Sequence, residues 1–179
     1  MKIFIFGKSK VGKSTFAKKL VNHLGHEKYI HVQASEFVKE KAKEVGLDSS
    51  SKNYREELTK LSTKLNRENQ KVCVDYILSH YDLTNKIGII EGIRTPSDFI
   101  NLTSFIEDKY LFLNYKNLKT TVAASLMDDG VRIIRDTIEF YNRLGIIPEK
   151  NITILSYETF EEFNSNFENI LRNFLLTLG

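Results

Sequence analysis

One cysteine, two prolines and four histidines are all that this 179-residue chain holds of three residue types that often organise small proteins. Cys73 on its own can form no intrachain disulfide, no multi-cysteine metal site and no CxxC redox pair, and it reads as a small buried apolar residue. His23, His26, His31 and His80 show none of the spacings of a zinc site, which excludes a zinc enzyme. No uncharged apolar run approaches the ~18 residues that cross a bilayer, and the apolar start at residues 3–6 is too short for a signal peptide. The expectation is a cytoplasmic protein without a membrane partner. Repeats, linkers and compositional breaks are missing as well, so one domain is expected over residues 1–179.

What the chain does hold is globular in composition, with 41% hydrophobic, 27% charged and 11% aromatic residues. The net charge of +3 is small, but it is unevenly spread. Residues 1–45 carry ten lysines and four acids, net +6, while the rest of the chain is net −3. A local basic region suits a small polyanion such as a nucleotide; a nucleic-acid surface usually needs a broad basic stripe, so nucleic acid is not expected as a partner.

Short β-branched runs alternate with amphipathic helical stretches, the pattern of an α/β domain with a parallel sheet. Strands are expected at residues 2–6, 29–33, 87–91, 110–114 and 152–155. Helices are expected at 13–24, 35–45, 54–79 (one or two), 97–108, 118–144 (broken near Gly130) and 159–178. Each connection is long enough for a right-handed crossover. The fold class expected is therefore a three-layer α/β/α arrangement around a five-stranded parallel sheet.

The most specific signal is Gly7-Lys8-Ser9-Lys10-Val11-Gly12-Lys13-Ser14, a full match to G-x-x-x-x-G-K-[ST], set between an apolar strand and the helix that opens at Ser14-Thr15. Gly7 and Gly12 let the backbone turn inward without a Cβ clash, so that N–H groups from Gly7 through Thr15 point at phosphate oxygens. Lys13 would reach the β and γ phosphates of ATP, and the Ser14 hydroxyl would ligate Mg²⁺. The alternative is a Gly-rich turn capped by Ser14 that binds no ligand.

Further along, Lys86-Ile87-Gly88-Ile89-Ile90-Glu91-Gly92-Ile93-Arg94 is an apolar strand ending in an acid. Glu91 stands where a P-loop protein needs its Mg²⁺-supporting carboxylate, and Arg94 falls in the ligand crevice past the strand's carboxyl end. Arg94 is read as a phosphate contact or a surface ion pair, and Thr95 or Ser97 as the cap of the next helix. Ser35 is a candidate N-cap, and Glu36 is either a first-turn acid favoured by the helix dipole or an acid near the acceptor, with Lys39 one turn on. Between the fourth and fifth strands, Asp128-Asp129-Gly130 reads as a turn. Arg132 and Arg135 share a helix face, either as a clamp on the transferring phosphoryl group or as a solvated surface.

Two absences narrow the class. A guanine-specific GTPase needs Asn-Lys-x-Asp, and Asn85-Lys86-Ile87-Gly88 lacks the aspartate. Motor ATPases need more chain and further sensor elements.

Three segments, GKSKVGKSTFAKKL, ASEFVKEKAKEVGL and IIEGIRTPSDF, resemble the small P-loop kinases of the nucleoside monophosphate kinase superfamily. The likeness covers roughly residues 1–115 and extends to adenylate-kinase-related, dephospho-coenzyme-A-kinase-like and phage-type deoxynucleoside monophosphate kinases. It implies a P-loop NTPase fold and transfer of the ATP γ-phosphate with Mg²⁺. It further implies acceptor-binding helices at about 35–81 and an arginine-bearing lid at about 117–145. By the same resemblance, Lys13 and Ser14 are phosphate and Mg²⁺ residues, Glu91 takes the Walker B place, and Arg94 is an acceptor-side arginine. Two positions depart from the pattern. Glu36 and Lys39 stand where many relatives have an acid and an arginine, and the lid offers only Arg132, Arg135 and Arg143. The expected activity is phosphorylation of a nucleotide-like acceptor, a nucleoside or deoxynucleoside monophosphate first and a dephospho-coenzyme-A-like molecule second. The alternatives are an ATP-binding regulatory module without efficient transfer and a kinase acting on nucleic acid.

Overall fold

In the computed structural model, which describes residues 1–8, 10–115 and 122–176, five strands form one parallel sheet. They are β1 (Ile3–Phe6), β2 (Tyr29–Gln33), β3 (Ile87–Glu91), β4 (Lys109–Tyr115) and β5 (Ile152–Tyr157). The spatial order is β2-β3-β1-β4-β5, every pairing parallel, with Ile5 opposite Glu91 and Gln33 opposite Glu91 in register. From β1 the chain crosses to the sheet edge at β2, steps back to β3 beside β1, and then passes to the other side of β1 for β4 and β5. This reversal opens a crevice at the carboxyl ends of β1 and β3, where open α/β sheets bind ligands.

All four residues of β1 are buried, as expected of a central parallel strand covered on both faces. Its period of two divides the core. Ile3 and Ile5 join Ile89, Leu111 and Leu113 against α1 (Lys13–Leu24), α7 (Phe160–Ser165) and α8 (Phe167–Leu176). Phe4 and Phe6 point the other way and join Val32, Ile90, Tyr110 and Phe112. There they meet α2 (Glu36–Glu44), α4 (Val72–His80), α5 (Pro96–Leu102) and α6 (Val122–Arg143). Phe99 sits edge-on to Phe4, Phe6 and Tyr110 at 5.6–5.8 Å, contacts worth about 0.5–1.5 kcal/mol each beyond their area. The three-layer α/β/α arrangement around a five-stranded parallel sheet expected from the sequence is present.

Boundaries differ where side chains bond the backbone. The helical stretch at 54–79 is two helices, α3 (Tyr54–Glu68) and α4, because Asn69 Oδ1 accepts from Lys71 N and turns the chain. The stretch at 159–178 divides at Asn166. α5 stops at Leu102 because Asp108 Oδ2 draws in the Ser104 N–H at 2.7 Å. Ser35 occupies the N-cap position of α2 but makes no side-chain cap bond, since its backbone is already helical.

The break expected near Gly130 does not occur: α6 runs through it without interruption. Gly130 is required for a different reason. A Cβ at this position would run into the Arg94 carbonyl oxygen, so the glycine lets α6 pack directly on the segment that follows β3. Residues 117–121 of the expected lid, like Ser9 of the Gly-rich loop, lie outside the described residues.

Candidate active site

β1 delivers the chain to Gly7, whose φ of +148° and close approach to the Leu113 carbonyl leave no room for a side chain. Gly12 ends the loop at φ +83°, in the left-handed conformation, as the N-cap of α1. Between them Lys10 also has positive φ, 66°, a costly conformation for a residue with a Cβ that is held here by the surrounding turn. From the far strand, the Tyr157 hydroxyl donates to the Val11 carbonyl and ties β5 to the loop. Val11 is itself core, 1% exposed. Lys13 is 8% exposed, and its ammonium donates to the carbonyls of Gly7 at 2.9 Å and Lys8 at 2.7 Å. The positive charge is therefore held against the loop rather than in solvent.

Ser14 and Glu91 meet at the crevice. The Ser14 hydroxyl donates to Glu91 Oε1 at 2.6 Å, and His31 Nε2 of the neighbouring strand lies 3.5 Å from the same oxygen. Glu91 is only 4% exposed, and burial alone would raise its pKa. His31, the Ser14 hydroxyl and the charge of Lys13 prevail and hold the carboxyl below its usual value. Glu91 is thus an anion at the end of β3. A hydroxyl and a carboxylate side by side are hard oxygen donors of the kind Mg²⁺ takes alongside nucleotide phosphates, so the residues present fit the ion.

The crevice opens into a cavity of about 610 Å³. Lys10, Gly12, Lys13, Ser14 and Thr15 line it on the loop side. Ala34, Phe37, Val38, Leu58 and Cys73 supply an apolar wall, and Lys39, Arg55 and Arg94 supply cations. Asp98 also lines the cavity while only 3% exposed. Thr95 caps α5 by accepting from Asp98 N at 3.1 Å, and its hydroxyl donates in turn to Asp98 Oδ2 at 2.5 Å. Burial pushes the Asp98 carboxyl above its ordinary pKa, against the lowering effect of the Thr95 hydroxyl.

The remaining residues singled out in the sequence lie elsewhere. Glu36 Oε1 accepts from Lys39 Nζ at 2.7 Å; Lys39 reaches the cavity and Glu36 is not among its lining residues. Gly7, Lys8 and Val11 are not among the residues that line the cavity. Arg132 is exposed, 3.7 Å from Asp129, and Arg135 is paired with Glu139 at 2.9 Å while its guanidinium lies 5.8 Å from the Phe112 ring. Neither arginine lines the cavity.

No family model and no curated protein sequence matches the chain. Among solved structures it is similar to a dephospho-CoA kinase from Campylobacter jejuni, with a TM-score of 0.48 and 15% identity over 96% of each chain. A gluconokinase from Sinorhizobium meliloti 1021 gives 0.42 and 12%, over 99% of this chain and 90% of that one. A shikimate kinase from Bacteroides thetaiotaomicron gives 0.39 and 16%, over 96% of each.

Three features of the site escaped the sequence. His31 carries no motif; it could have been found only by noticing a polar residue in an otherwise apolar strand next to β3. Asp98 lies three residues after Thr95, the spacing of a capping pair, and that spacing concealed its second exposure to the cavity. Arg55, Thr59, Ser62 and Asn66 recur at helical spacing along α3 and all line the cavity, a polar stripe that hydrophobic periodicity does not reveal.

Proposed function

We propose that the protein is a P-loop phosphotransferase that moves the γ-phosphate of ATP to a nucleotide-like acceptor. The observation that carries this reading is that one continuous cavity joins the Gly-rich loop to an apolar wall flanked by Lys39, Arg55 and Arg94. A protein that only holds or hydrolyses a nucleoside triphosphate needs the cradle; a second compartment with its own cations is what an acceptor kinase adds. The apolar wall of Phe37, Val38 and Leu58 suits the flat face of a heterocycle better than a polyol, whose hydroxyls would lose water there without compensation.

In this reading the loop N–H groups and the Lys13 ammonium hold the β and γ phosphates. Arg94 and Lys39 hold the acceptor phosphate, so that its attacking oxygen faces the γ phosphorus in line. Ser14 and Glu91 would hold Mg²⁺, which supplies charge neutralisation across the phosphates. Lys13 moves with the charge: its electrostatic contact strengthens as negative charge shifts from the transferring group to the leaving oxygen.

A second reading, an ATP-binding regulatory module, draws support from Arg132 and Arg135, which pair along their own helix and stand outside the cavity. An ATP-consumption screen with nucleoside monophosphates, deoxynucleoside monophosphates and dephospho-coenzyme A separates the two. The kinase reading expects one acceptor to raise consumption well above background hydrolysis. Tight ATP binding with no stimulation by any of them would favour the regulatory module.

A further inference from the structure

Two aspartates of this chain are buried to nearly the same degree and are treated differently by their surroundings. Asp108 is fully buried, and both its oxygens are bonded: Oδ1 accepts from Lys2 N at 2.6 Å, and Oδ2 accepts from Ser104 N at 2.7 Å and from the Thr103 hydroxyl at 3.3 Å. That is the pattern of an acid retained for the fold. Asp98 has one oxygen accounted for. Oδ2 accepts from the Thr95 hydroxyl, while Oδ1 is buried and has no hydrogen-bond partner among the described residues. Leaving a buried carboxylate oxygen unpaired is costly, and a cap alone does not require it, because Thr95 already accepts from the Asp98 N–H.

Asp98 lines the cavity beside Cys73, whose thiol is pushed up by burial and by the Asp98 charge. Of the groups placed beside it, the Cys73 thiol is a weak donor and the Thr95 hydroxyl is already spent on Oδ2. A ligand that fills the cavity can supply the donor that Oδ1 lacks among the described residues.

We infer that Asp98 is a specificity residue for the acceptor, and that its Oδ1 accepts an N–H from an amino-bearing nucleobase lying against the apolar wall. This rests on the kinase reading above and names the acceptor class within it. Adenine, cytosine and guanine each carry an exocyclic amine; uracil and thymine carry carbonyls on both sides of their single ring N–H. An ionised carboxylate can accept and cannot donate, so it rewards an amine and repels a carbonyl. A site built around one buried polar partner discriminates strongly, because the wrong ligand leaves that partner unpaired.

The test is a competition for phosphoryl transfer at pH 8 between the ribonucleoside and deoxyribonucleoside monophosphates, in the wild type and in Asp98→Asn. The substituted side chain is close to isosteric with the carboxylate, and it replaces one acceptor oxygen with an amide nitrogen that donates. The wild type is expected to prefer at least one amino-bearing monophosphate over UMP and dTMP by at least about 30-fold in kcat/KM. In Asp98→Asn that ratio is expected to fall by about tenfold or more. The ratio does not depend on the fraction of variant that folds, so a weakened cap cannot imitate the result. Equal use of amino-bearing and carbonyl-bearing acceptors, or a ratio unchanged in Asp98→Asn, overturns the assignment of Asp98 and leaves the kinase reading standing. Transfer to none of these monophosphates overturns the assignment of Asp98, and the kinase reading falls with it when dephospho-coenzyme A is not phosphorylated either.

Discussion

Glu91 and Asp98 are both buried acids on the wall of one cavity, and their neighbours push them in opposite directions. At the loop end, Glu91 is surrounded by Lys13, Ser14 and His31, drawn from α1 and β2, and burial loses to these partners. Across the cavity Asp98 has the Thr95 hydroxyl alone, and burial wins. The Glu91 carboxylate is therefore stabilised as an anion by side chains of this chain, although His31 Nε2 makes no hydrogen bond of its own among the described residues. Asp98 Oδ1 has neither a hydrogen-bond partner among the described residues nor a cation acting on its carboxyl. On the proposed reading a phosphate cradle can be prebuilt by the chain, whereas selectivity comes from a polar group that only the right ligand satisfies.

The largest effect is expected from breaking the loop end. Lys13→Ala removes the ammonium that bonds the Gly7 and Lys8 carbonyls, and turnover is expected to fall by about 100-fold or more. Calorimetric titration with Mg-ATP and a melting curve check it: binding should be lost while a cooperative transition remains. Unchanged affinity in a folded variant would remove the loop from the site.

Glu91→Gln should lower kcat by about 10- to 100-fold with a smaller change in the KM for ATP, since the carboxylate's charge is lost and its shape kept. Because the Glu91 pKa is depressed in the folded chain, its stabilising contribution is present above the unfolded value near 4.5 and is lost as pH falls through the folded one. Asp98 has the opposite sign. Its raised folded pKa gives a contribution that is full below the unfolded value of 3.8 and is lost as pH rises through the folded one. Asp98→Asn is therefore expected to melt no lower than the wild type at pH 7, and its advantage should shrink as pH falls toward 3.8. A variant less stable at pH 7 and more stable in acid would reverse the assigned sign.

Gly130→Ala sharpens the comparison from a distance, because a Cβ there drives into the backbone of Arg94 on the cavity wall. A loss of about 1–3 kcal/mol in stability is expected, where alanine in an open helix position would have gained stability. Kinetics should show the acceptor KM rising more than the KM for ATP. The smallest effect is expected from Arg132→Ala with Arg135→Ala, which remove only pairs within α6; stability should move by about 0.5 kcal/mol or less. A large fall in kcat in that double variant would return both arginines to the reacting centre.

Much of the loop end was legible in the sequence because its chemistry is local. Gly7, Gly12, Lys13 and Ser14 lie within one turn of chain, and an apolar strand before them and a helix after them suffice to orient them. The bounds of β2 and β3 agree with the sequence reading to the residue: β3 is a buried apolar run that stops at Glu91, and β2, although an edge strand with His31 inside it, keeps enough β-branched and aromatic character to stand out. The other half of the cavity is assembled from α2, α3, α4 and α5, and no single window of sequence contains it. Gly130 shows the difficulty well: read locally it is a helix breaker, and only the packing of α6 on Arg94 shows it to be a contact. His31 reaches Glu91 only through the register of two strands far apart in the chain.

The central claim, that one cavity joins a triphosphate cradle to an acceptor compartment, is tested most directly by following the γ-phosphate itself. ATP labelled with ¹⁸O in the γ-phosphoryl group is incubated with the protein, Mg²⁺ and an equimolar mixture of nucleoside and deoxynucleoside monophosphates, and the products are resolved by mass spectrometry. The account predicts the label in a nucleoside diphosphate, with an amino-bearing base foremost among the products. Label recovered only in inorganic phosphate, at a rate indifferent to the monophosphates, would contradict it.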